Sequence, residues 1–220
     1  VPLTTRAVKF SASALEGEIK TAARATWRDQ PAQVRYLGAY LADDEVKART
    51  MLVETPYIDR HYLQEYLGFY ASKLHPPDRN ATRIHFWRRA FDTREWNALV
   101  LRGATECTEV VEREIGGDYL GCVVVRPVAE CPIGRTLLAP YGAKPSRCYA
   151  PALTSHEVHL QGFTLRVNAL PFQQQDQGLG ACATTALWSS LARAMRADGG
   201  RAVPGDPCMT RIVRVACDLD

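Results

Sequence analysis

Apolar residues along this chain recur at helical spacing in its first third, alternate at strand spacing through the middle, and return to helical spacing near the end. Ala14, Leu15, Ile19, Ala22 and Ala23 share one helical face, and a second helix is predicted to begin near Asp43, so residues 1–55 read as mostly helical. Asp59 is a good N-cap for a further helix carrying Tyr62, Leu63, Tyr66, Phe69 and Tyr70, which His75-Pro76-Pro77 brings to a stop. Helical spacing alone accounts for that aromatic stripe, and it reads as core rather than as a ligand box. From Thr82 the period becomes that of strands: Thr82–Trp87, Ala98–Arg102, Tyr119–Arg126 and Arg135–Leu138, separated by Gly and Pro signals. Glu157–Gln161 and Thr164–Leu170 flank Gly162 and predict a hairpin. Ala183, Ala186, Leu187, Ser190, Leu191, Ala194 and Met195 then form the face of a buried helix, with Asp198-Gly199-Gly200 as its stop.

This order of elements predicts an α+β fold, a mixed helical and antiparallel region over 1–170 followed by a helix-led unit over 171–220. Composition changes the picture little: 220 residues, 46% hydrophobic and 23% charged, describe a globular chain. A net charge of +3 is too mild for a dedicated nucleic-acid binder. Arg79, Arg83, Arg88, Arg89, Arg94 and Arg102 do surround His85, Phe86 and Trp87, which gives a nucleic-acid reading of this region as a minor alternative. Asp78, Asp92 and Glu95 dilute that charge, and alternation along a strand explains most of it. Seven cysteines, odd in number and without a Cys-x-x-Cys pair, argue against a disulfide framework and a zinc ribbon, and place the chain in a reducing, cytoplasmic setting. No apolar run approaches the roughly eighteen residues of a membrane helix. The N-terminus lacks the regions of a signal peptide, and the missing initiator Met points to trimming. Gly178 and Gly180 lack the partners of a Walker or dinucleotide motif, so no cofactor is expected.

The candidate chemistry lies at Pro171-Phe172-Gln173-Gln174-Gln175-Asp176-Gln177, followed by Gly178-Leu179-Gly180-Ala181-Cys182. Cys182 falls on the first turn of the last predicted helix, where unpaired backbone N–H groups and the helix dipole favour thiolate over thiol. An amide N–H₂ aimed at a developing oxyanion is worth on the order of 3 kcal/mol in a transition state. With the Ala-Leu-Trp that follows at residues 186–188, this pattern resembles the nucleophile region of papain-like cysteine peptidases. Within them it is most similar to the bacterial domains that cut double-glycine leaders in bacteriocin exporters. The resemblance covers Pro171 to Leu191. It implies a peptide or protein substrate, Cys182 as nucleophile, and Gln175, or its neighbours Gln174 and Gln177, as oxyanion donor. The family's usual spacing from Gln to Cys falls here on Asp176, between Gln175 and Gln177, so the choice of glutamine stays open.

In that family the His and its Asp or Asn partner follow the Cys, whereas all five histidines of this chain precede Cys182. Three readings follow. The chain is a fragment of a longer domain, or a permuted site recruits His156 or His159 from the preceding hairpin, or the module binds without cleaving. If Val158 and Leu160 face the core, strand alternation sends His159 outward with Glu157 and turns His156 inward, so the two do not share a metal. The reading is therefore a thiol-dependent hydrolase at Cys182, assisted by Gln175, with His156 and His159 as the available imidazoles and no metal.

Overall fold

A computed structural model describes residues 3–142, 153–175, 182–197 and 212, with side chains in the last helix described over residues 183–191. Five strands, β1 (Thr4–Lys9), β2 (Thr50–Tyr57), β3 (Ala81–Trp87), β4 (Tyr119–Val125) and β5 (Ile133–Leu138), form one antiparallel sheet in sequence order. Every residue of β3 and β4 is buried. Both faces of the sheet are covered, which is why the Val123-Val124-Val125 run is continuous instead of alternating.

On one face lie α1 (Ala12–Ala22) and α2 (Ala32–Ala42). Leu15, Ile19, Val34, Leu37 and Leu41 pack there on Met51, Val53, Ile84, Phe86 and Val123. The opposite face carries α4 (Thr93–Thr105), α5 (Thr108–Gly116) and a separate hairpin, β6 (Thr154–Leu160) with β7 (Phe163–Ala169). Its centre is aromatic: Trp87 lies 5.5 Å from Trp96 and 5.0 Å from Tyr119, and Trp96 meets Phe163 edge-on at 6.0 Å. Between β2 and β3 runs α3 (Arg60–Glu65), capped by Asp59 and continued by a π-helical turn over Tyr66–Tyr70. Tyr62 and Tyr70 close a third cluster with Val124 and Cys131. The chain ends, within the described residues, on α6 (Cys182–Ala197), which packs on β6.

The α+β class holds, and so do the capped aromatic helix, the hairpin and the presence of the final helix. The buried residues of that helix are however Thr185 and Trp188, while Ala183, Ala186, Leu187 and Ser190 of the predicted buried face are exposed, because the helix rests on β6 and His61 through its other side. Gln161 and Gly162 turn the hairpin with φ of 46° and 91°, the left-handed pair that a two-residue loop needs. Other expectations change. Residues 1–55 are not mostly helical, since β1 and β2 bracket the two helices, and α2 ends at Ala42 rather than beginning near Asp43. Ala98–Arg102 is not a strand but the middle of α4. A capping box between Asp92 and Glu95 starts that helix, and Trp96, Leu99 and Gly103 form its buried stripe while Leu101 stays exposed. The predicted stop at Asp198-Gly199-Gly200 lies outside the described residues.

Gly121 bends β4 at φ 113°, and a Cβ placed there would sit 1.9 Å from the Leu137 carbonyl oxygen on the next strand. Gly121→Ala therefore meets both a backbone conformation and a contact that it cannot accommodate. Urea unfolding should show a loss of about 3 kcal/mol or more; a loss below about 1 kcal/mol would mean that β4 and β5 slide apart freely.

Candidate functional site

The glutamine segment is built onto the edge of the sheet. Phe172 and Thr136 exchange two backbone hydrogen bonds of 3.2 and 2.8 Å, and Gln174 N–H donates to the Ile133 carbonyl at 2.9 Å. Residues 172–174 thus act as a short sixth strand beside β5. Two of the three glutamines in this segment are already committed. Gln173 Nε2 donates to Glu65 Oε1 at 2.8 Å, while the Gln174 amide accepts from Ile133 N–H at 3.2 Å and donates to the Glu130 carbonyl at 3.4 Å.

Under the segment lies a buried ion pair. Arg126, at the end of β4, donates from Nη1 to Glu65 Oε2 at 2.9 Å and from Nη2 to the carbonyls of Cys131 and Gln174 at 2.7 and 3.1 Å. The two side chains are 1% and 4% exposed. Burial alone would lower the Arg126 pKa, but the Glu65 carboxylate holds it above its ordinary value. A charge so deep is tolerated because Glu65 faces it and carbonyls take its other donors. Its Nε is the exception, buried with no hydrogen-bond partner.

Gln175 is what remains. It is exposed, and its amide makes no hydrogen bond among the described residues. Gln177 lies outside the described residues, as does the Cys182 side chain, although Cys182 is the first residue of α6. That helix is fixed from two directions. The buried Trp188 ring meets the His61 ring of α3 edge-on at 5.8 Å, and Ser189 Oγ donates to the Pro171 carbonyl at 2.9 Å. Positions 182 and 189 are seven residues apart and so fall on one stripe of the helix. The stripe that begins at Cys182 is the one that touches the start of the glutamine segment.

The two hairpin histidines part as strand alternation requires. His156 is buried, with Nε2 2.7 Å from Thr154 Oγ1, and it sits on the strand against which α6 packs. His159 is exposed, with Nδ1 3.3 Å from Thr164 Oγ1, and it lines a different space. That space is a cavity of about 390 Å³ between the sheet and the hairpin, bounded also by Glu54, Arg83, Cys122 and Arg135.

Beneath this cavity is a polar chain that the sequence pattern did not single out. Arg83 Nε donates to Glu54 Oε2 at 2.6 Å, and its Nη2 donates to the His159 carbonyl at 2.6 Å. His85, fully buried, lies 2.9 Å from the Tyr119 hydroxyl through Nδ1 and 3.4 Å from Glu54 Oε2 through Nε2. Burial drives the His85 pKa down to about 4, against the pull of the Glu54 carboxylate. For Glu54 burial works the other way, but hydrogen bonds from His85 and Arg83 and the Arg83 charge leave its pKa below the ordinary value. Burial also raises the Cys122 thiol, so Cys122 is a neutral thiol and a poor nucleophile. Cys107 is half-buried and donates to Glu109.

The arginine cluster proves to be largely spent. Arg83 is buried, Arg89 and Arg102 both pair with Glu114, and Arg88 donates to the Val46 carbonyl. Among the described residues no group of His, Cys, Asp or Glu is placed to hold a metal ion, and no helix is long and apolar enough to cross a membrane. No protein-family model, curated protein or solved structure matches the chain.

The buried imidazole has a consequence for stability. The unfolded chain takes up a proton at His85 near pH 6.5, whereas the folded chain does so only near pH 4. Folded stability should thus be complete above about pH 6.5 and should fall by about 3 kcal/mol on acidification to about pH 4. His85→Gln should flatten that part of the profile in urea unfolding at graded pH; an unchanged slope would remove His85 as its source.

Proposed function

We propose that this chain is a thiol-dependent hydrolase of peptide or amide bonds, with Cys182 as its nucleophile. The observation that carries the proposal is the division of labour among the glutamines. Gln173 and Gln174 lock the segment to Glu65, Ile133 and Glu130, which leaves the Gln175 amide uncommitted at the exposed end nearest α6 in sequence. A donor held on a sheet edge and a cysteine on the first turn of a packed helix are what acyl transfer to sulfur requires.

The reaction follows from those positions. Cys182 sulfur attacks the carbonyl carbon, and the carbonyl oxygen gains the negative charge that the Gln175 amide and backbone N–H groups of α6 stabilise. The C–N bond then breaks, the amine leaves with a proton from an imidazolium, and water releases the acid from the thioester. Both hairpin histidines lie on β6, the strand that α6 packs against, and His156 suits the imidazole role better because His159 is turned to a different space. His159 faces the opposite side of that strand, toward the cavity that holds Arg83.

Iodoacetamide at about pH 6, read peptide by peptide in a mass spectrometer, tests the thiolate. Cys182 should react about tenfold faster than free cysteine, and His156→Gln should abolish the acceleration. A rate equal to that of free cysteine would leave a binding module in place of an enzyme. Fast labelling that survives His156→Gln would take His156 out of the mechanism.

A further inference from the structure

On the other side of the glutamine segment from Arg126 is a groove of about 760 Å³, walled by α2 and by the stretch from Leu170 to Gln175. Its surface is aromatic. Tyr36 stacks on Tyr40 at 6.4 Å, Tyr40 meets Tyr141 edge-on at 4.6 Å, and Phe172 faces them from the segment. Tyr36 is 65% exposed, Leu170 43% and Phe172 42%, so three of the large apolar side chains left open to solvent converge on one depression.

The backbone beside the groove is also open. Phe172 and Gln174 turn their backbone groups toward β5. Strand alternation then points the N–H and C=O groups of Gln173 and Gln175 the other way, and none of them has a hydrogen-bond partner among the described residues. An unpaired strand edge beside an apolar trough accepts one kind of ligand well: another extended chain, which bonds through its backbone and drops alternate side chains into the trough. Glu130 contributes the one formal charge among the described residues of the lining and favours a basic residue in that ligand.

We propose that Gln173 and Gln175 bind an extended peptide by strand addition, with a bulky apolar or aromatic side chain seated between Tyr36 and Phe172. This rests on the hydrolase reading for its purpose, since it names the substrate as an extended, apolar and basic peptide presented to the segment that precedes Cys182. It does not rest on that reading for its test, because binding can be measured without turnover.

The experiment uses the Cys182→Ala chain and a fluorescein-labelled peptide, Gly-Leu-Phe-Leu-Arg-Gly, followed by fluorescence polarisation. Saturable binding is expected, weakened about tenfold by Tyr36→Ala and by Asp in place of the peptide's Phe. N-methylation of one peptide nitrogen, which removes a backbone donor and leaves every protein side chain intact, should weaken it by a similar factor. Absence of binding at millimolar peptide, or binding indifferent to N-methylation and to Tyr36→Ala, would overturn the proposal. A chain that sediments as a dimer, which Phe172→Asp dissociates, would assign the groove to a second copy and overturn it equally. Peptide binding without rapid Cys182 alkylation would instead keep the docking site and reject the hydrolase.

Discussion

The buried Arg126–Glu65 pair is the contact on which the arrangement of the site depends. One guanidinium joins β4, α3, the turn at Cys131 and the glutamine segment, and it ties the last of these to the three that the Tyr62–Val124–Cys131 cluster already packs together. Glu65 completes the bridge by holding Gln173. A pair this deep stabilises the fold little in net terms, because both charges give up their hydration to form it. Its effect is positional. An apolar pair of the same volume would fill the space and leave the Gln173 amide and the Gln174 carbonyl without these partners.

A second buried pair performs the corresponding task on the same face of the sheet. Arg83 and Glu54 hold down the hairpin through the His159 carbonyl, and His85 extends the chain from Glu54 to Tyr119. Among the described residues the hairpin has no strand-to-strand bonds to the main sheet, so this polar tie and the packing of Val158, Leu160, Phe163 and Leu165 fix its position. Through β6 the hairpin also sets where α6 lies. Both the glutamines and the helix are therefore located by arginines on adjacent strands.

Much of this was legible in the sequence where a local rule applied. Asp59 capped its helix, the Gln161-Gly162 turn made a two-residue hairpin, and alternation separated His156 from His159. The failures have physical causes. Met51-Leu52-Val53 carries no period because β2 is covered on both faces, so nothing in the pattern marked it as a strand. Ala98 to Leu101 mimics a strand because a short apolar run has no period of its own, and only the Asp92 capping box, six residues earlier, betrays the helix. Which glutamine was free could not be read at all. That choice is made by Glu65, Glu130 and Ile133, residues whose nearness to the segment exists only after the sheet has formed.

The order in which these contacts form decides when the segment is set in place. The five strands of the sheet pair with their neighbours in sequence, so the sheet can assemble piecewise from its beginning. The glutamine segment cannot, since its anchor to Glu65 spans 108 residues and its anchor to Arg126 spans 48. Until β5 is in place and its edge is exposed, the segment that carries Gln175 has no anchor. Under the proposed function, a chain still emerging from the ribosome thus carries an unarmed thiol, with the fold as the safety catch on its chemistry.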